Sequence, residues 1–278
     1  MAAGVPPGAT ARAVLNDMLW LLPPLAVLVA VGLAGRSMND GAFLIVTLAI
    51  AVTIMVGLGV RSRVRRGMLL ASCIETESPW HRRLRGTLLL WLLALVRAVP
   101  LALILAVALA RAAHPLTLVI FVLSAPGFVL LWRFCMVRMS THVLPRFLPD
   151  IALRIAQFVA LAMLVTGLSL AALFAAYPDL SDLSLGQAIV HEVRAQDADS
   201  AVLLALMQFA AGKDVVAWWL GQQLLPGLVE PVFQLAAWAI VLATDVLVVW
   251  SYLVFCSSVL CLAHWRSFNQ VMETERTS

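Results

Sequence analysis

The sequence predicts an all-α fold, a polytopic transmembrane helical bundle, on three observations. The chain of 278 residues is 63% hydrophobic and only 12% charged, where an ordinary soluble domain carries about 25% charged residues. Its mean hydropathy is +0.98. Six stretches are long and apolar enough to cross a hydrocarbon core of about 30 Å, which takes about 20 residues of helix. The same arithmetic excludes a soluble globule, a disordered chain, collagen and a coiled coil, since each needs charge, a glycine repeat or heptads that this chain lacks. Residues 1–278 read as a single integral-membrane domain.

The spans are expected at residues 18–35, 41–60, 86–110, 116–137, 151–177 and 232–262. The first has a basic start, an apolar run and Gly32-Leu33-Ala34, the form of a cleavable signal peptide. Pro23-Pro24 inside the run favours a retained span. The third is interrupted by Arg97, the fifth carries Arg154 near its start, and the sixth contains Asp245.

Arginine placement sets the orientation, because cytoplasmic loops retain basic residues. Between the second and third spans stand Arg61, Arg63, Arg65, Arg66, Arg82, Arg83 and Arg85, and between the fourth and fifth Arg133, Arg138, Arg146 and Arg154. The chain is therefore expected in a bacterial-type inner (cytoplasmic) membrane with both termini in the cytoplasm. Its net charge of +4 follows from this loop bias and implies no nucleic-acid partner. The two clusters in the loop between the second and third spans, Arg61 to Arg66 and Arg82 to Arg85, are expected to contact anionic lipid at the inner face or to dock a cytoplasmic subunit. Cys73, Cys135, Cys256 and Cys261 fall on the reducing side, where packing rather than disulfide formation is expected.

The outer segment, residues 178–231, is acidic and unusually apolar. Residues 201–211 and 215–225 are two apolar runs divided by Gly212-Lys213-Asp214. Each is too short to span, so two short surface helices are expected, with Trp218 and Trp219 at the outer membrane interface.

Small residues four apart mark helix contact faces in lipid. Ala98, Ala102, Ala106 and Ala110 form one stripe, Ala152, Ala156 and Ala160 another, and Gly167 and Ala171 a further pair higher in the same span. Pro100, and Pro126 with Gly127, are candidate helix breaks of the kind that form transporter sites.

Arg97 and Asp245 are the candidate intramembrane charges. Arg97 lies about 16 Å into the bilayer, counting at 1.5 Å per residue from Gly86, where a charge costs about 2.5–3.5 kcal/mol on insertion scales. It is expected to be buried against protein or a polar cavity, with Asp245 as the first candidate partner. His142 and His264 could in principle face each other across a haem, but both sit at helix ends beside arginines, and no cofactor is expected. His191-Glu192 lacks the second histidine of a zinc site at position 195, which is Ala. No catalytic motif is present in the sequence. The expected function is a transport or channel component with a pathway between spans three, four and six. The alternative is a non-catalytic membrane subunit, in a larger complex or a homo-oligomer, and a membrane enzyme is third.

Overall fold

In hydrocarbon every backbone N–H and C=O must be satisfied within the protein, so an apolar chain that crosses a bilayer does so as helices or as a closed barrel. A computed structural model describes the backbone of residues 7–73, 87–111, 115–144, 147–173, 183–224 and 231–264. Side chains are described for these except in 7–11, 67–73, 87–88, 115–116, 169–173, 220–224 and 231–245. The described residues form a helical bundle without strands. Its long helices are α1 (Pro7–Ala34), α2 (Asp40–Cys73), α3 (Thr87–Arg111), α4 (Pro115–Met139) and α5 (Leu148–Leu173). After a short α6 (Leu185–Arg194) come α7 (Ala201–Leu224) and α8 (Pro231–Ala263).

Seven of these helices are long and apolar enough to cross a membrane, one more than the six expected. The seventh is α7, which corrects the expectation of two short helices. Gly212-Lys213-Asp214 does not break it. A mid-helix glycine costs only about 1 kcal/mol relative to alanine, and a Cβ at Gly212 would meet Val193 and Ile189 of α6 at 3.7 and 3.9 Å, so the position lies in ordinary contact with α6.

Polar contacts nevertheless lay α7 across the bundle. Asp199 N–H donates to the Arg36 carbonyl at 2.8 Å, and the Asp40 carboxylate accepts from the Ser200 hydroxyl and Val202 N–H, capping the start of α7. Arg111, the last residue of α3, pairs with Asp214 at 2.7 Å. Fourteen residues of helix cover about 21 Å. A helix descending beside α2 and α3 would carry Asp214 that far from the end of the bundle where Asp40 and Arg111 stand, yet it meets Arg111. Leu203 and Met207 pack into Phe43, Ala106, Val107 and Ala110 beneath.

The remaining six long helices alternate in direction. Asp17 near the start of α1 meets Arg133 late in α4 and His264 just past α8. Arg61 in the second half of α2 meets Asp150 at the start of α5 and Ser257 late in α8. The starts of α1 and α5 and the ends of α2, α4 and α8 thus gather at one end, which carries the arginines. Outward-facing Leu33, Ile45, Leu48, Leu123, Phe134, Phe158 and Met163 give the bundle an apolar exterior suited to lipid. Cysteines introduced at Asp199 and Lys213 should react with an impermeant reagent from one side of the membrane, and one at Ser140 from the other. A residue-213 cysteine shielded from the reagent on both sides would mean that α7 crosses, since 213 is the midpoint of the helix.

The alanine stripes do form contact faces. Ala98, Ala102, Ala106 and Ala110 are buried, as are Ala152, Ala156 and Ala160. Gly167 is not part of this contact, for a Cβ there would meet nothing within 4 Å. α8 is the axis, buried at every residue from Ser251 to Cys261.

Candidate functional site

Around α8 the described helices pack in a ring. α1 lies against α3 and α4, α4 against α5, and α2 against α3, while α1, α2, α3 and α5 all approach α8. Between α2 and α5 the ring closes through long side chains instead of close backbone packing. That seam holds the most elaborate polar group in the interior.

Arg61 is there because α2 continues as helix past the expected end at residue 60, carrying forward the inward stripe Ile50, Ile54, Gly57, Arg61 and Val64. Its side chain is 5% exposed and that of Asp150 is 4% exposed, and the two bond through Nε and Oδ1 at 3.1 Å. Arg61 Nη2 donates to Gln157 Oε1 at 2.9 Å and Nη1 to Ser257 Oγ at 3.3 Å. Gln157 Nε2 donates in turn to Ser257 Oγ at 2.8 Å and to the Leu253 carbonyl at 3.3 Å. A buried guanidinium needs this many partners, because desolvation otherwise exceeds the Coulomb gain.

The second oxygen of Asp150 serves two further arginines. Arg65 Nε donates to Oδ2 at 3.3 Å. Arg154 Nε stands 3.3 Å from the same oxygen, near enough for an ion pair but not aligned for a hydrogen bond. Three cations share one carboxylate. A smaller clasp lies beside this one, where Asp17, 0% exposed, accepts from Arg133 Nε at 2.6 Å and has His264 Nε2 2.7 Å from its other oxygen. His264 also packs edge-on against Trp132, which faces inward at the helix end. Farther from the arginine-rich end the Tyr252 hydroxyl of α8 donates to the Phe121 carbonyl of α4, with Ser124 beside it.

Of the residues expected to matter, Arg61 is the clearest reassignment: it is buried in the network and cannot dock a partner or lipid. Arg63 lies over the Trp91 ring at 5.0 Å, Arg65 reaches Asp150, and Arg66 is half-buried. Arg82, Arg83 and Arg85 lie outside the described residues. Arg97 corrects another expectation. It is exposed on the outward face of α3, between Leu93, Val96 and Pro100, and has no ion-pair partner among the described residues. The side chain of Asp245 is outside the described residues.

The expected breaks are also absent from the backbone. α3 runs unbroken through Pro100 and α4 through Pro126 and Gly127, and a Cβ at Gly127 would meet nothing within 4 Å. Trp218 and Trp219 are half-buried and act between α6 and α7, packing with Ala188, Val215 and Ile189, while Trp219 Nε1 donates to the Leu183 carbonyl at 3.0 Å. An internal pocket of about 10 Å³ lies between Leu25, Leu28, Leu109, Phe121 and Tyr252, at the lower limit for one water. An open cleft of about 620 Å³ lies along α6 at Gln187, Val190, His191 and Arg194.

Sequence reasoning missed Asp17, Asp150, Gln157 and Ser257. The two aspartates had a signal, since each is an acid among arginines at a span end. Gln157 had one as well, as an amide inside an apolar run. In chemical terms the network neutralises and holds charge between helices, with the half-exposed guanidiniums of Arg65 and Arg154 at its rim. Comparison with known protein families, curated proteins and solved structures gives no match to this chain.

Proposed function

We propose that the protein is a non-catalytic integral-membrane subunit that assembles with other membrane proteins, set in the cytoplasmic membrane with both termini inside. The observation that carries this reading is the exposure of Arg97 on the outward, apolar face of α3. Arg97 lies about 15 Å along α3 from Thr87, half of a hydrocarbon core of about 30 Å. A charge facing lipid there costs about 2.5–3.5 kcal/mol, whereas a transmembrane carboxylate or backbone carbonyls of a neighbouring subunit would compensate it. The remaining inner arginines, among them Arg63 and Arg66, face anionic headgroups in this reading.

Transport is the second reading. It is favoured by the polar side chains that follow one another along buried α8, Ser251, Tyr252, Ser257 and Ser258, toward Arg61 and Asp150. Purification in mild detergent separates the two. The subunit reading expects companion polypeptides in fixed stoichiometry, lost on Arg97→Leu while the variant alone remains folded and at least as stable as the parent. A monodisperse single chain that Arg97→Leu leaves unchanged, with substrate-dependent flux from liposomes holding this chain only, would overturn it in favour of transport.

A further inference from the structure

We infer that the seam between α2 and α5 is a binding site for a phosphate group, held by Arg65 and Arg154 at the arginine-rich end of the bundle. The inference needs the chain to be membrane-embedded and is independent of the partner reading built on Arg97. Three features carry it. The first is charge balance: among the described residues Arg61, Arg65 and Arg154 converge on Asp150 alone, an excess of two positive charges. Arg61 spends its donors on Asp150, Gln157 and Ser257, leaving the excess on the other two.

The second is direction. Arg65 and Arg154 each address the carboxylate by Nε, and both point to the same oxygen, Oδ2, at 3.3 Å. Their side chains are 39% and 40% exposed. Among the described residues the terminal nitrogens of both guanidiniums have no partner, two forks held at the rim beside one buried acid. Arg154 Nε, which is buried and lacks a hydrogen bond, leaves this arginine under-satisfied by the protein itself. A tetrahedral oxyanion offers paired acceptors that such forks bind bidentately.

The third is place. α2 and α5 approach through side chains at this seam, and Arg65 and Arg154 stand half-exposed where the two helices meet at the arginine-rich end of the bundle. Basic pockets between helices at this level are where phospholipid headgroups dock. The phosphate can come from an anionic phospholipid or from free phosphate in the aqueous phase, and the site chemistry is the same for both.

The test measures thermal unfolding of the purified full chain in detergent, with added phosphatidylglycerol, phosphatidylcholine or inorganic phosphate, alongside native mass spectrometry of retained lipid. The comparison variants are the double Arg65→Gln with Arg154→Gln, each single, and Arg138→Gln, which removes an exposed charge at the same end outside the seam. Phosphatidylglycerol should raise the unfolding temperature of the parent and of Arg138→Gln, and the double variant should bind it about tenfold more weakly, the loss expected of a charge-assisted contact. Stabilisation by inorganic phosphate with the same residue dependence would assign the site to free phosphate. Each single variant should lose part of the effect, which keeps the test readable if the double fails to fold. Equal stabilisation of the parent and every seam variant, or equal loss in Arg138→Gln, would reduce the effect to general surface charge and overturn the site. So would no stabilisation by either phosphate source.

Discussion

Replacing Asp150 with Ala will destabilise the bundle by about 3–5 kcal/mol, the cost of stripping the partner from a buried ion pair. The loss is large because one carboxylate answers Arg61, Arg65 and Arg154 together, and Arg61 has no route to water. The reciprocal change is expected to cost less. Arg61→Met leaves Asp150 paired with two other arginines, and Gln157 still bonded to Ser257, while the methionine fills much of the vacated space. Unfolding curves in graded denaturing detergent should therefore rank Asp150→Ala well below Arg61→Met in stability. The reverse order would show that Asp150 is not the hub of the seam.

Gly57 is the other position of large effect. A Cβ there would overlap the Ser258 side chain and stand 2.5 Å from the Ser258 backbone, so α2 and α8 must move apart to admit even alanine. Overpacking of this kind costs about 1–3 kcal/mol, and Gly57→Val should exceed Gly57→Ala. Pairing Gly57→Ala with Ser258→Gly should recover only part of the loss, since the clash with the backbone at 258 persists. Gly127→Ala is the matched control: with open space around it, the change should be neutral or stabilising by up to about 1 kcal/mol from helix propensity. Equal melting temperatures for Gly57→Ala and Gly127→Ala would refute the close approach of the two helices.

Composition and the arginine bias were enough to anticipate the helical class and the alternation of the long helices, which brings the start of α1 to the end of α8, because each is a property summed over many residues. Single side chains were harder. Arg61 and Arg63 are two positions apart in one basic run, and only the helical phase, continued beyond the apolar stretch, sends the first inward and the second over Trp91. Arg97 was judged by depth alone, which says that a charge needs a partner but not on which side of the helix that partner stands. The unity of α7 was hidden for a local reason: Gly212, Lys213 and Asp214 resemble a break until Arg111 and α6 supply contacts distant in sequence. Asp17 and Asp150 each stand near an arginine in the sequence, but nothing local states that an arginine from another helix will meet them.

The placement of α8 has a consequence for biogenesis. Chains emerge from the ribosome in order, so α1 to α5 enter the bilayer before the helix that fills the space among them has been made. Until α8 arrives, Gln157 lacks Ser257 and the Leu253 carbonyl, Asp17 lacks His264, and the inward faces of five helices have only lipid or one another to cover them. The early intermediate is thus an open horseshoe of inserted helices, and completion is a late insertion of the axis into it. A stalled nascent chain ending before residue 246 should accordingly be recognised by membrane quality control as unassembled, although all its earlier spans are already threaded.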